Sequence, residues 1–217
     1  MAAALVGGLT LVVGGVWYYV TPKYWEVGYM PTQPGGGFSH QIHAAQLGMD
    51  CRYCHTNVDK SAEANIPSAA TCMGCHTPGL LQVSSRSAEH NAKVGFIRDA
   101  YATDDPIPWR RVHKLPDYVR NFPHHAHVTA GVSCLSCHGN IARMPVVWQH
   151  ESLSMGWCLD CHRNPEPSLV AREEVTRLFD LEPKFEPQNA AARLAEGKKF
   201  WEERKIAAPE NCGACHY

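Results

Sequence analysis

The sequence predicts a mainly α-helical fold with extensive loops, preceded by one apolar helix. Three observations carry this prediction: a cysteine–histidine pattern that recurs five times, an uncharged N-terminal stretch, and too little chain for the number of sites the pattern implies. The 217 residues include 10 cysteines and 13 histidines, and 20 basic side chains nearly balance 21 acidic ones. With 45% hydrophobic residues, this composition argues against a disordered chain and against a basic nucleic-acid binder.

All ten cysteines fall into Cys-x-x-Cys pairs, each followed by histidine: Cys51, Cys54 and His55; Cys72, Cys75 and His76; Cys134, Cys137 and His138; Cys158, Cys161 and His162; Cys212, Cys215 and His216. Chance at this composition would supply about 0.03 such motifs. A four-cysteine zinc ribbon fits the spacing of Cys51, Cys54, Cys72 and Cys75 but gives no role to the adjacent histidines. Structural disulfides in an exported protein leave the same five histidines unexplained. Covalent c-type haem accounts for all fifteen residues, with two thioethers holding the porphyrin and the histidine as proximal iron ligand. The expectation is five covalently bound haem c groups.

The N-terminus sets the compartment. Ala2 to Val20 carry no charge, and 19 residues at helical rise span roughly 28 Å, near the hydrocarbon thickness of a bilayer. Trp17, Tyr18, Tyr19, Tyr24 and Trp25 with Lys23 form an interfacial belt. A retained anchor fits better than a cleaved signal peptide, because no small-x-small cleavage site follows. Haem attachment follows export, so the expected arrangement is a single pass through the bacterial inner membrane with the haem domain on the periplasmic or outer side. Gly7, Gly8, Gly14 and Gly15 recur seven residues apart and would allow close packing on another membrane helix.

Beyond the anchor (1–22) and a Pro/Gly linker (23–37), a repeat emerges. Phe38-Ser-His40-x-x-His43 precedes Cys51, and Phe122-Pro-His124-x-x-His127 precedes Cys134; Gly48 and Gly131 each stand three residues before the cysteine. The first histidine leads the cysteine by 11 residues in one copy and by 10 in the other. A second motif follows each copy, giving two di-haem modules, 38–79 and 122–167, joined by a cysteine-free connection (80–121) with the turn-rich Asp104 to Trp109. The remainder, 168–217, is a charged helical segment ending in the fifth motif. Residues 166–205 hold 17 of the 41 charged side chains and read as helices over Ser168 to Phe179 and Asn189 to Lys205.

Five histidines serve as proximal ligands, which leaves His40, His43, His90, His113, His124, His125, His127 and His150 for the far sides of the irons. The His-x-x-His spacing puts two side chains on one helical face, one turn apart, so they can address two neighbouring haems. Closed irons relay electrons, and an open iron would suggest a substrate site.

Phe-x-His-x-x-His ahead of Cys-x-x-Cys-His resembles the class III multihaem cytochrome c pattern. That resemblance implies that His40 caps the haem on His55, that His124 caps the haem on His138, and that His43 and His127 cap two others. Phe38 to His43, Gly48 to His55, the segment around Val112-His113-Lys114-Leu115-Pro116-Asp117-Tyr118, and Ser154 to Pro165 resemble the pentahaem membrane-anchored subunit of bacterial alternative complex III. This implies His113 as the fifth distal ligand, with Met144, Met155 and His150 as substitutes. It further implies a non-catalytic electron relay in a quinol-oxidising membrane complex, with an iron-sulfur or quinol-oxidising subunit as donor and a mono-haem cytochrome or oxidase as acceptor. The alternative is a stand-alone membrane-anchored quinol dehydrogenase feeding a periplasmic reductase.

About 190 residues must cover five porphyrins, roughly 40 each, so short helices and long loops follow from the mass balance. The aromatic side chains Phe38, Trp109, Phe122, Trp148 and Trp157 are expected on porphyrin faces. Haem propionates need cations, and Arg52, Arg110, Arg111, Arg143 and Arg163 lie near motifs.

Overall fold

A computed structural model of the chain describes residues 2–20, 37–80, 88–113, 115, 119 and 122–216. Most of the expected linker, the belt residues Lys23, Tyr24 and Trp25, and much of the segment after His113 lie outside the described residues. The helices are α1 (Ala2–Val20), α2 (Cys51–Cys54), α3 (Ala69–His76), α4 (Ala88–Lys93), α5 (Gly95–Thr103), α6 (His124–Ala130), α7 (Cys134–His138), α8 (Met155–Arg163), α9 (Leu178–Leu181) and α10 (Ala190–Arg204). Among the described residues there is no β-strand, and an isolated antiparallel bridge joins Val132 to Leu169. The fold is therefore mainly helical, with short helices and long loops.

The apolar stretch forms α1 as expected, with Leu5, Leu9, Leu11 and Trp17 exposed. No helix among the described residues is long and apolar enough to cross a membrane.

The two copies of the repeat differ in one physical detail. The second copy is the α-helix α6, whereas the first is a π-helical turn over Gln41–Gln46, where the Leu47 amide donates to the Ile42 carbonyl five residues back at 3.0 Å. A π turn holds one residue more than an α turn, which accounts for the offset of 11 against 10. Gly48 and Gly131 then take left-handed backbone, at φ +67° and +92°, where a Cβ is disfavoured. Asp50 and Ser133 cap the motif helices that follow, accepting from the Arg52 and Leu135 amides.

The expected helix over Ser168 to Phe179 does not form. The Ser133 amide donates to the Ser168 carbonyl at 3.1 Å and the Val170 amide to the Gly131 carbonyl at 2.8 Å, so this stretch runs extended beside 131–133 before short 3-10 turns lead into α9. Its apolar side chains decide the matter: Leu169, Val170, Val175 and Leu181 are no more than 1% exposed. Val170, Val175 and Leu181 pack with Val58 of the first module and Val128 of the second. The expected helix over Asn189 to Lys205 does form, as α10, and Gly197 lets it lie directly on the Glu166 carbonyl. Within the connection, residues 95–103 are more than a plain surface loop, since they form α5, which packs against α3.

Leu181→Ala should lower the unfolding free energy by about 2–5 kcal/mol, because it opens a cavity where no solvent reaches. Leu194→Ala on α10, at a side chain 36% exposed, should cost under about 1 kcal/mol. Guanidinium unfolding of the two variants checks the contrast.

Candidate functional site

Each Cys-x-x-Cys pair lies on a helical turn. Burial pushes the Cys134 and Cys137 thiols up to about 12 and the Cys51 thiol up to about 11. Among the described residues no group of three or more His, Cys, Asp or Glu side chains is gathered to hold a metal ion.

The histidines are arranged differently. His43 donates from Nδ1 to the Ser39 carbonyl at 2.9 Å and His127 to the Pro123 carbonyl at 2.9 Å, each one helical turn back. The other bonds of this kind are long-range: His55 to the Asn65 carbonyl at 2.7 Å, His124 to the Ala62 carbonyl at 2.7 Å and His162 to the Pro209 carbonyl at 2.5 Å. An imidazole that donates from Nδ1 carries its lone pair on Nε2, the form in which histidine binds a metal.

Phenylalanine fixes the ring directions. Phe38 stacks on His43 at 4.3 Å and 23° and meets His40 edge-on at 4.8 Å and 86°. Phe122 repeats this, at 4.6 Å and 22° on His127 and at 5.0 Å and 87° on His124. One aromatic ring thus turns the two histidines of each copy to nearly perpendicular orientations, so they face different motifs. The ring of His43 lies 6.1 Å from that of His76, His127 lies 6.2 Å from His162, and His124 lies 6.4 Å from His138.

These spacings test the fit of a haem iron. A bound imidazole places its ring centre about 3.1 Å from the metal, given a metal–nitrogen distance of about 2.0 Å, so two on opposite sides stand about 6.2 Å apart. The three measured separations match. His40 is an electrostatic neighbour of His55, and its pKa falls to about 4 because burial disfavours the cation, with His55, His43 and His113 adding repulsion. The residues present therefore fit haem c.

His113 lies elsewhere than a simple one-to-one scheme requires. Its ring is 4.2 Å from that of His138, which His124 also faces, and its Nε2 is buried without a hydrogen-bond partner. Its pKa is lowered to about 4 by burial, with His150 and His124 contributing. Of the substitutes, Met144 is 2% exposed in the core, Met155 is exposed, and exposed His150 lies 3.6 Å from the Glu151 carboxylate. Among the arginines expected near propionates, Arg143 pairs with Glu182 at 2.6 Å and Arg163 with Glu210 at 3.0 Å, while Arg52 donates to the Thr176 hydroxyl at 3.1 Å. The long-range carbonyls of Ala62, Asn65 and Pro209 gave no sign in the sequence. Those of Ser39 and Pro123 were implicit in the helical spacing.

The five motifs and the cross-motif ring pairs have the arrangement expected of a multihaem c-type cytochrome. Residues 120–217 match the family described as cytochrome c7 and related cytochrome c. The chain is also 25% identical, over 183 residues covering 75% of its length and 81% of the relative, to the multihaem cytochrome c subunit of menaquinone reductase from Nitratidesulfovibrio vulgaris (strain Hildenborough).

Because His40 and His113 are held near 4 when folded and titrate near 6.5 when unfolded, the unfolded chain binds more protons between those values. Stability should therefore fall as pH drops from about 6.5 to about 4, by up to about 3 kcal/mol for each histidine, and level off below. Iron coordination acts in the same direction, since it also requires the neutral ring. Denaturant midpoints measured across this range check the slope, which His40→Gln should flatten.

Proposed function

We propose that the chain is a pentahaem electron-relay subunit of a membrane complex that exchanges electrons with quinone. The observation that carries this reading is the set of three cross-motif histidine pairs at 6.1, 6.2 and 6.4 Å, each joining a motif histidine to one from the Phe-x-His-x-x-His repeat. His76, His162 and His138 would hold their irons with His43, His127 and His124 opposite. His55 pairs with His40, and His113, with its unsatisfied buried Nε2, serves as the fifth distal ligand. The bound haems supply one-electron chemistry at iron. The chain's part would be to hold each iron between two histidines, with burial disfavouring the cations of His40, His113, His127 and His138 and with Phe38 and Phe122 fixing the ring planes of the repeat histidines.

The likeness to a subunit named for menaquinone reductase supports a role beside quinone and among other subunits. Within that class, the resemblance to the pentahaem subunit of alternative complex III favours electrons that come from quinol and go to a periplasmic carrier or terminal oxidase. The relative's printed name favours a second reading, in which electrons run toward the quinone. The reading also includes attachment to the bacterial inner membrane by a single pass, with the haem domain outside; what supports it is the uncharged, exposed sequence of α1, not its length.

Two measurements test this proposal. Denatured holoprotein should be heavier than its polypeptide by about 0.6 kDa per haem, about 3 kDa in all; a mass equal to the bare chain would overturn it. The reduced protein should bind no carbon monoxide, and His43→Ala, His124→Ala and His127→Ala should each admit one carbon monoxide per chain. Exposed His125→Ala should admit none.

A further inference from the structure

Contacts between the five motifs form a chain whose order differs from that of the sequence. The first and second motifs meet directly, since the Tyr53 hydroxyl lies 3.9 Å from where a side chain on Gly74 would begin. They also share the first repeat: Phe38 stacks on His43, which faces His76, while His40 is an electrostatic neighbour of His55. The first and third motifs meet at residues 175–176. There the Cys134 amide donates to the Val175 carbonyl at 3.3 Å, and the Cys51 thiol donates to the Thr176 carbonyl at 3.7 Å. His124, which faces His138, also donates to the Ala62 carbonyl in the loop that follows the first motif.

The third and fourth motifs are joined by α6, whose His124 and His127 face His138 and His162 from one turn of helix. The fourth and fifth are joined just before Cys212, where His162 donates to the Pro209 carbonyl at 2.5 Å and Arg163 pairs with Glu210 at 3.0 Å. The cysteines trace the same path. Burial is the main cause that raises four of the thiols, and a thiol of the adjoining motif adds to each: Cys54 to Cys72, Cys51 to Cys134, Cys161 to Cys137 and Cys215 to Cys158. Of the ten motif cysteines, the protein covers eight in part and leaves Cys75 and Cys212 exposed, one in the second motif and one in the fifth.

We propose that the five haems stand in single file, in the order of the motifs that end in His76, His55, His138, His162 and His216. This rests on the haem reading above and adds a route to it: electrons cross the protein between the second motif and the fifth. The first motif in the sequence is an interior link. A donor and an acceptor therefore have one end each, at the haem on His76 and the haem on His216.

The test is paramagnetic NMR of the haem methyls in the purified holoprotein, with haem content checked by mass. In His43→Ala, His124→Ala and His127→Ala, carbon monoxide holds one haem ferrous and diamagnetic while the others are oxidised. Comparing each variant with and without carbon monoxide shows which other haems lose the dipolar shift that this iron gave them. In His43→Ala the loss should reach only the haem on His55. In His124→Ala it should reach those on His55 and His162, and in His127→Ala those on His138 and His216. His40→Ala, treated in the same way, assigns the resonances of the haem on His55. Stepwise reduction of the unmodified protein gives an independent reading if a variant fails to fold. Its four strongest pairwise interactions should be the four links, each weakening reduction of the neighbour about tenfold at an effective dielectric of about 20. Losses at two haems in His43→Ala, a loss at only one in His124→Ala, or a strongest interaction that skips a link would overturn the single file. A protein without covalent haem, or variants that admit no carbon monoxide, would instead overturn the parent reading.

Discussion

A histidine can offer a metal one ring nitrogen, and it points that nitrogen dependably when the other is already engaged. Five histidines of the described residues meet this constraint, whereas His40 and His138 leave Nδ1 buried without a partner. Five histidines commit Nδ1 to a backbone carbonyl, and three of those carbonyls come from segments 10, 62 and 47 residues away in the chain. The loops are therefore structural members: the stretch containing Ala62 and Asn65 orients one histidine of the first module and one of the second. The Phe38 and Phe122 rings complete the arrangement by turning neighbouring imidazoles to opposite tasks.

The small side-chain core is consistent with that division of labour. Val175 and Leu181 have no exposed surface, and they bring together Val58 from the first module and Val128 from the second. Beside them Thr176 donates to the Asp50 carboxylate at 2.8 Å and accepts from Arg52, while its carbonyl faces the Cys51 thiol and the Val175 carbonyl takes the Cys134 amide. One short segment thus contacts the first cysteine of each module. Its charge-rich sequence concealed this role, because the apolar residues that matter are few and closely spaced.

Legibility in the sequence divided along the same line. Motifs, repeat and α10 were readable because local spacing encodes them, and even the one-residue mismatch between the copies marked a real difference, the π turn at Gln41–Gln46. The extended course of Leu169 and Val170 was not readable, since it depends on pairing with 131–133. The position of His113 against His138 is another long-range outcome, which residue counting could not anticipate.

The placement of Val175 and Thr176 also bears on how the protein is made. A chain emerging from its N-terminus presents Cys51 and Cys54, and later Cys134 and Cys137, before the segment that backs them exists. Once residues 169–181 settle, Cys134 is packed against the core cluster and Cys51 lies against the Thr176 carbonyl. If haem is joined to those sulfurs as proposed above, its attachment would need them open, before residues 169–181 pack against them.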